Sequence, residues 1–155
     1  MLLAIDPAKR ALGWAMFANA GNLKRCGLLR ATTVEGMLAE FKTLRRFRVR
    51  EPLAVVVELP RIYSVRHWKG DPNDLLDVAA VAGAAATLGE PRFVTPQQWK
   101  GRVPKPIHHK RIRAVLSADE LAVFVTAEDA IPKSLAHNVL DAIGIGLWAK
   151  GRMDQ

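Results

Sequence analysis

Leu53-Ala-Val-Val-Val-Glu58 is the stretch that decides the fold of this 155-residue chain. Its apolar residues favour β-structure and are too few for a helix, so they predict a buried strand that ends at Glu58. Leu2-Leu-Ala-Ile5 is a second short apolar run, and Asp6-Pro7 ends it in the same way. Ligand sites in open α/β sheets gather at the carboxyl ends of strands, so neighbouring strands would set Asp6 beside Glu58. Adjacent carboxylates repel each other, and a hard divalent cation with oxygen ligands removes that cost.

The remaining elements are predicted to build an α/β layer around this strand. Short apolar runs before it predict an antiparallel meander, and a capping box at Thr32 and Glu35 opens a helix. After it, Asp71-Pro72 opens a helix that is apolar nearly all round, which predicts burial on more than one side. The predicted order is three strands (2–5, 11–17, 23–30), a helix (32–44), a strand (53–57), a helix (71–88), a strand (92–94), a short helical segment ending near 101, a loop and helix within 99–113, and a last helix (134–150). We therefore predict one α/β domain, residues 1–155, with a mixed five-stranded sheet, an antiparallel meander plus parallel strands, flanked by helices.

The chain is strongly basic. Lys and Arg total 23 against 15 Asp and Glu, which gives a formal charge of +8 and an isoelectric point near 10.2. Such a protein usually meets a polyanion, most commonly nucleic acid, although a basic protein without that partner fits the same numbers. The densest basic run, residues 99–113, contains no acid and suits a phosphate backbone, with a solvated charged face as the alternative. Its basic residues are Lys100, Arg102, Lys105, Lys110, Arg111 and Arg113.

Asp141 is a third notable acid because it lies in the otherwise apolar run Leu135 to Trp148. On a helix, His137 and Asn138 share its face, and an acid in so apolar a helix needs a partner. A metal shared with the other two strand-end acids would supply one. The alternatives are structural: Asp6 as a turn former, Glu58 as a cap or surface ion pair, and Asp141 as a structural ion pair.

Cysteine content and hydropathy restrict the cellular compartment and the membrane association that we expect. Cys26 is the only cysteine, so an intramolecular disulfide and a cysteine zinc site are excluded, and a reducing cytoplasm is the default expectation. The start, Met1 to Asp6, lacks a basic region and a long apolar region, so we do not expect a signal peptide. No apolar run approaches the ~20 residues that a membrane span needs, so no membrane partner is expected.

Three segments carry a family resemblance, and they occur in order across nearly the whole chain: Ile5-Asp-Pro-Ala-Lys-Arg-Ala-Leu-Gly-Trp-Ala15, Val55-Val-Val-Glu58 and Asp141-Ala-Ile-Gly-Ile-Gly-Leu147. They resemble the first strand and hairpin, the fourth strand with its catalytic glutamate, and the final helix of RuvC-type Holliday junction resolvases. That family belongs to the RNase H-like superfamily. The segment Thr95 to Lys105 is similar to phage-borne members. The resemblance implies an RNase H-like fold and a structure-selective endonuclease that resolves four-way DNA junctions.

The resemblance also implies a two-metal mechanism with Mg²⁺ or Mn²⁺, in which no side-chain nucleophile is needed. Asp6 would bridge the two ions, and Glu58 and Asp141 would each complete one site. The family tends to carry Asp or His shortly before the last Asp, where this chain has Asn138. We favour His137 as the outer or alternative ligand because imidazole binds manganese better than an amide does, with a surface histidine as the alternative.

Partners follow from the substrate and from the loop after Glu58. In that loop, Tyr63 and Trp68 are expected to stack on unpaired bases, and Arg66 and Lys69 to contact DNA; packing is the alternative for Trp68. A four-way junction has approximate two-fold symmetry, so a homodimer with two identical sites is expected. The candidate interface is the apolar helix Leu75 to Leu88.

Other functions stay open on the sequence alone. A ribonuclease H or a YqgF-like RNA-processing nuclease would use the same three acids. A non-catalytic DNA-binding module would use them only structurally, and then Asp6→Asn would leave function intact. An actin-like kinase domain opens similarly, but this chain is short for one and lacks a second phosphate-binding Asp-Gly motif.

Overall fold

The computed structural model describes residues 1–46, 53–61 and 71–154. Its strands are β1 (Leu2–Asp6), β2 (Ala11–Phe17), β3 (Leu23–Arg30), β4 (Ala54–Glu58) and β5 (Glu90–Val94). Its helices are α1 (Val34–Arg45), α2 (Pro72–Ala86), α3 (Pro96–Lys100), α4 (Lys105–Val115), α5 (Ala118–Asp129) and α6 (Ala136–Ala149), with a 3₁₀ turn at Lys133–Leu135 before α6.

The strands form one mixed sheet in the order β3-β2-β1-β4-β5. The β1–β2 and β2–β3 pairs are antiparallel, whereas β4 runs parallel to both β1 and β5. Asp6 lies opposite Gly13, and Ile5 lies opposite Val57, so Asp6 and Glu58 come at the same end of adjacent strands. The predicted five-stranded mixed sheet and its meander are therefore confirmed.

Each face of the sheet is covered by its own helices. Successive side chains of a strand point to opposite faces, so Leu3 and Ile5 join the core formed with α1 and α2, while Leu2 and Ala4 join the core formed with α6. Nearly all of α6 is buried, and α3, α4 and α5 add Trp99, Ile112 and Phe124 to the same core. Neither α6 nor any other helix in the described residues is long and apolar enough to span a membrane.

Two glycines let α6 lie very close to the sheet. A Cβ at Gly13 on β2 would clash with the backbone of Asn138, and a Cβ at Gly146 would clash with the ring of Phe17. Glycine inside a helix costs about 1 kcal/mol relative to alanine, and this close approach explains the position. Because Gly13 is also the pairing partner of Asp6, α6 passes beside the end of β1 and brings Asp141 there, one turn later.

Helix α2 packs against its own chain through one face. Val81, Ala82 and Ala85 pack inward, whereas Leu76 on the opposite side is 67% exposed. Within the described chain one face of α2 is packed, so burial of a second face, against another subunit, stays a prediction. Alanine removes little surface from water, so an alanine-rich helix looks apolar all round even when only one face is packed.

Two local features also differ from the sequence expectations. The N-cap of α1 is Thr33 rather than Thr32, and its side chain accepts a hydrogen bond from the Gly36 amide. Helix α5 was not expected from the hydrophobic pattern, although Ser117 and Glu120 form a capping box at its start.

Candidate active site

Three carboxylates converge where β1 and β4 end. Asp6 and Glu58 are brought there by the sheet register, and Asp141 is brought there by α6. The side chains of Glu58 and Asp141 are only 15% and 6% exposed. Each of the other two acids raises the pKa of Asp6, which places all three within one electrostatic field.

Of the three carboxylates, Asp6 has the fewest hydrogen-bond donors in the described part of the chain. Burial is the largest cause that raises its pKa well above the ordinary value, and the charges of Asp141 and Glu58 raise it further. Lys105 and Lys100 act in the opposite direction without cancelling the shift. An acid whose charged form is disfavoured in this way gains stability from a nearby cation.

Asp141 is held by two side chains of α4. The Lys105 Nζ lies 2.7 Å from Oδ2, and the His109 Nε2 lies 2.9 Å from Oδ1. Burial raises the pKa of Asp141, but these two hydrogen bonds outweigh that effect and leave the pKa below its ordinary value. Lys105 and His109 are four residues apart on one helix, so they share a face and reach the same carboxylate.

Glu58 is held by α3. The indole Nε1 of the fully buried Trp99 donates to Oε2 at 2.5 Å, and the Lys100 Nζ lies 4.0 Å from the same oxygen and 4.7 Å from the Trp99 ring centre. Burial is the largest influence on the pKa of Glu58 and keeps it above its ordinary value, although Lys100 and Trp99 both lower it. Glu58 and Asp141 therefore meet protein donors from two different helices.

The sequence analysis missed His109 and Trp99 as neighbours of the acids. The adjacent side chains of His108 and His109 have different partners: His109 contacts Asp141, whereas His108 contacts Trp99. His108 is 2% exposed, packs edge-on against Trp99 at 5.0 Å between ring centres, and has a buried Nε2 without a hydrogen-bond partner in the structure. Its burial lowers the pKa of His108 to about 4, so it is neutral near pH 7. Lys105 and His109 at helical spacing were the one sequence signal that could have linked α4 to an acid.

His137 and Asn138 are the two residues from which the sequence predicted a further ligand. The buried Asn138 amide Nδ2 donates to the backbone oxygen of Ala11 at 2.9 Å, so this side chain ties α6 to the β1–β2 hairpin. His137 is partly buried, one turn before Asp141. The histidine that contacts the Asp141 carboxylate is His109 on α4, and His137 as a metal ligand stays a prediction.

The fit of this cluster to a metal ion has two sides. Among residues 1–46, 53–61 and 71–154, no three His, Cys, Asp or Glu side chains lie close enough together to hold a metal as they stand. The ligand chemistry does fit, since buried carboxylates that disfavour each other's charge are the oxygen donors that hard divalent cations take. In their present positions these acids are balanced by Lys100, Lys105 and His109.

The basic residues predicted to contact DNA separate into three groups. Lys100 and Lys105 face the carboxylates, as described above. Arg102, Lys110 and Arg111 are exposed on or before α4. A cleft of about 640 Å³, here named the α3–α4 cleft, lies beside them and is lined by Gln97, Gly101, Arg102, Val103, Pro104, Ile107 and Arg111.

Arg113 is the basic residue that contacts α5. Its guanidinium pairs with Glu128 at 3.0 Å and lies 4.6 Å from the ring centre of Phe124, both on α5. This contact ties α4 to α5, and because the Arg113 side chain is still 40% exposed, its contact with DNA stays a prediction. The predicted DNA contacts Tyr63, Arg66, Trp68 and Lys69 lie outside the described residues.

The arrangement of strands and helices matches two solved structures of RuvC from Thermus thermophilus. One, described as the Thermus thermophilus RuvC structure, gives a TM-score of 0.58 at 18% sequence identity and covers 97% of this chain and 96% of that one. The other, described as T. thermophilus RuvC in complex with Holliday junction substrate, gives a TM-score of 0.62 at 20% identity and covers 97% and 94%. The chain has the RuvC type of RNase H-like fold.

The RuvC-type fold is therefore confirmed from end to end of the described chain, as the sequence resemblance predicted. No protein-family profile matches the sequence, and no curated protein sequence matches it. The likeness is thus one of architecture, and the argument for activity depends on the residues that this architecture brings together.

Proposed function

We propose that this protein is a metal-dependent endonuclease that cuts four-way DNA junctions. The observation that carries the proposal is the convergence of Asp6, Glu58 and Asp141 at one end of the sheet, in a fold shared with RuvC. The solved RuvC structure that resembles this chain is described as bound to a Holliday junction, and we extend that substrate class to this chain. The overall charge of +8 suits a nucleic acid.

Asp6, Glu58 and Asp141 are the residues that would hold two Mg²⁺ or Mn²⁺ ions, with Asp6 shared between them. Bound there, the ions would polarise the scissile phosphate and lower the pKa of the attacking water. His137 stays our candidate for an outer ligand. The protein's contribution is to hold three carboxylates together at a buried site. Their mutual repulsion and their burial both favour binding of a cation there.

Lys105 links the resting cluster to catalysis. Its ammonium now lies on Asp141 Oδ2, and it is 47% exposed on a helix that faces solvent. If Asp141 held a cation, this ammonium would lose its partner and would be available to offset the negative charge that develops on a phosphate in the transition state. His109 keeps Asp141 oriented through Oδ1, and Trp99 keeps Glu58 oriented through Oε2.

DNA would approach along the basic side of α3 and α4. Arg102 and Arg111 line the α3–α4 cleft, and the exposed Lys110 lies next to Arg111. Guanidinium groups suit bidentate contact with phosphate oxygens. The segment that contains Tyr63 and Trp68 follows Glu58 in sequence, and its proposed part is to stack on splayed bases at the junction centre.

A homodimer through α2 completes the proposal. The outer face of this helix presents Leu76, Ala79, Ala80 and Gly83, all exposed, and a Cβ at Gly83 would meet no atom within 4 Å. Small residues let two helices approach closely, and Leu76 at 67% exposure gains most from being covered. Two sites related by a two-fold axis would match the two strands that a junction resolvase must cut.

The decisive experiment compares three substrates in Mg²⁺ or Mn²⁺: a synthetic four-way junction, a linear duplex and an RNA–DNA hybrid. We expect paired symmetrical nicks in the junction alone, and none with Asp6→Asn. Asp119→Asn is the matched control because this exposed acid lies on α5. Cutting of the hybrid would instead indicate a ribonuclease H or YqgF-like activity. Binding without metal-dependent cutting, unchanged in Asp6→Asn, would indicate a non-catalytic module.

A further inference from the structure

A second basic cleft lies on the opposite side of the acid cluster from α3 and α4. Its volume is about 450 Å³, and it is lined by Arg10, Ala11, Arg30, Ala31, Thr32 and Leu135. We name it the hairpin cleft, because Arg10 belongs to the β1–β2 hairpin. The sequence analysis did not assign these residues to any site.

The sheet register places the hairpin cleft at the same end of the molecule as the acids. Ala11 pairs with Arg30 across β2 and β3, while Gly13, two residues further along β2, pairs with Asp6. The strand order puts β3 and β2 on one side of β1, and β4 and β5 on the other. Glu58 and the helices that bear Lys100 and Lys105 follow β4 and β5, so the acids lie between two basic regions.

The charge of the hairpin cleft is not balanced by acids in its lining. Arg10 and Arg30 are both exposed, and neither forms an ion pair with another described residue. Lys9, next to Arg10, shows the contrast: its ammonium is paired with Asp74 at 3.0 Å and with Asp77 at 2.5 Å on α2. One side of the hairpin tip is thus anchored to the protein, and the other presents a free guanidinium.

Two exposed arginines in the lining of one cleft suit phosphate as a ligand. Guanidinium groups bind phosphate oxygens through two parallel hydrogen bonds, and the Thr32 hydroxyl in the lining adds a further donor. Helix α1 begins at Val34, so its N-terminal partial positive charge is near the same cleft. The ligand class that fits is the backbone of a nucleic acid.

We propose that the hairpin cleft binds phosphates of the DNA strand that is cut, on the side of the cut opposite to the α3–α4 cleft. This inference rests on the proposed nuclease function. A strand that crosses the acid cluster between the two clefts is held on both sides of the scissile phosphate. Holding both sides keeps that phosphate at the carboxylates, which is a positioning contribution to catalysis.

The test measures DNA binding in EDTA, so that no cleavage occurs, with the double variant Arg10→Gln/Arg30→Gln. Each lost phosphate contact lowers the slope of log affinity against log salt by about 0.9, so we expect the slope to fall by about 2. Lys24→Gln/Lys150→Gln is the matched control, because it removes two charges near the other end of the sheet, where Lys150 contacts Asn19 at 3.4 Å. Thermal unfolding of both double variants checks that each is folded.

A second measurement locates the contact on the DNA. Uncharged methylphosphonates are placed one at a time along the junction strands, and the affinity of each is measured with both proteins. We expect two or three neighbouring positions on one side of the cut to weaken binding by the wild type and to have no effect in the arginine double variant. Such non-additivity shows that the arginines and those phosphates interact directly.

The outcomes separate this inference from the proposed function. If the salt slope falls no more than in the control, or if methylphosphonates cost both proteins the same, the hairpin cleft does not bind the strand. If the wild type binds DNA without preferring or cutting junctions, the nuclease proposal fails, and the same methylphosphonate series on linear duplex still decides whether the cleft binds phosphate. If the wild type binds no DNA, both proposals are wrong.

Discussion

Glu120 and the Asp6–Glu58–Asp141 cluster are both buried acids, yet the fold supplies them with donors very unequally. The Glu120 carboxylate, 3% exposed as a residue, accepts from the Leu23 amide at 2.7 Å and the Ser117 amide at 2.9 Å. It also accepts both guanidinium nitrogens of Arg152, at 2.5 and 2.8 Å. These contacts hold the pKa of Glu120 down to about 2, with the Arg152 hydrogen bonds as the largest cause.

The acid cluster is arranged in the opposite sense. Asp141 has two donors and Glu58 has one close donor, while no hydrogen bond to the Asp6 carboxylate is recorded in the described part of the chain. Charge is satisfied internally at Glu120 and left partly unsatisfied at Asp6, whose pKa is raised. The difference teaches that burial alone does not identify a functional acid. An acid that is buried, short of donors and beside other acids is prepared for a partner from outside the protein.

The largest effect that separates the two regions is on cleavage. Removing one electrostatic contact from an active site costs about 10²- to 10³-fold in rate, so Asp6→Asn, which removes the proposed bridging ligand, should cost at least that much. Thermal unfolding in EDTA should show Asp6→Asn to be at least as stable as the wild type, because a repelled charge is removed. Loss of cleavage together with a large loss of stability would instead show that Asp6 has a structural role, as Glu120 does.

The next effect is on stability, at Glu120. Glu120→Gln leaves the Arg152 charge without its partner, and breaking a buried ion pair typically costs about 3 to 5 kcal/mol in the free energy of unfolding. Urea unfolding measures this cost, and cleavage by the folded fraction should be unchanged. Glu128→Gln is the control, since the Arg113–Glu128 pair is more exposed and should cost about 1 kcal/mol or less. Equal losses in the two variants would mean that the Glu120 network adds nothing beyond a surface pair.

The pH dependence should run in opposite directions in the two regions. The pKa of Glu120 is lower in the folded than in the unfolded state, so its contribution is present above about pH 4.5 and is lost as the pH falls toward about 2. The pKa of Asp6 is higher in the folded state, so the folded protein loses stability as the pH rises above 3.8. Unfolding curves between pH 3 and 8 in EDTA should therefore show the advantage of Asp6→Asn over wild type growing with pH. A difference that is constant across this range would refute the raised pKa.

The sequence was sufficient to predict the sheet and the three acids of the cluster. The continuous apolar runs of β1 and β4 are local information, and the strand-end positions of Asp6 and Glu58 follow from them directly. Asp141 was also visible, because an acid in so apolar a helix is unusual. These features depend on residues that are close together in the chain or on a simple rule of sheet geometry.

The hydrogen-bond donors around the acids could not be predicted from the sequence in the same way. Trp99 and His109 reach Glu58 and Asp141 only because α3 and α4 pack on α6, and Gly144 is part of that contact: a Cβ there would lie 2.7 Å from the Trp99 ring. Which face of α4 turns toward α6 depends on tertiary packing around Ile112. The interaction of Arg113 with α5 failed to be predicted for the same reason, since it requires a helix that the hydrophobic pattern did not indicate.

The smallest effect concerns Lys105. In both regions a basic side chain contacts a buried carboxylate, but the two contacts are proposed to have different roles. Arg152 is a permanent partner of Glu120, whereas Lys105 is proposed to leave Asp141 when a metal binds. Lys105→Met should therefore raise the affinity for Mn²⁺ in the absence of DNA by roughly three- to tenfold, since one charged hydrogen bond no longer competes. The same variant should cut more slowly, because the ammonium beside the phosphate is lost. Lys110→Met, exposed on the same helix, is the control for charge. Calorimetric titration with Mn²⁺ decides the matter: equal or weaker binding in Lys105→Met would show that Asp141 is not a metal ligand and that Lys105 is as structural as Arg152.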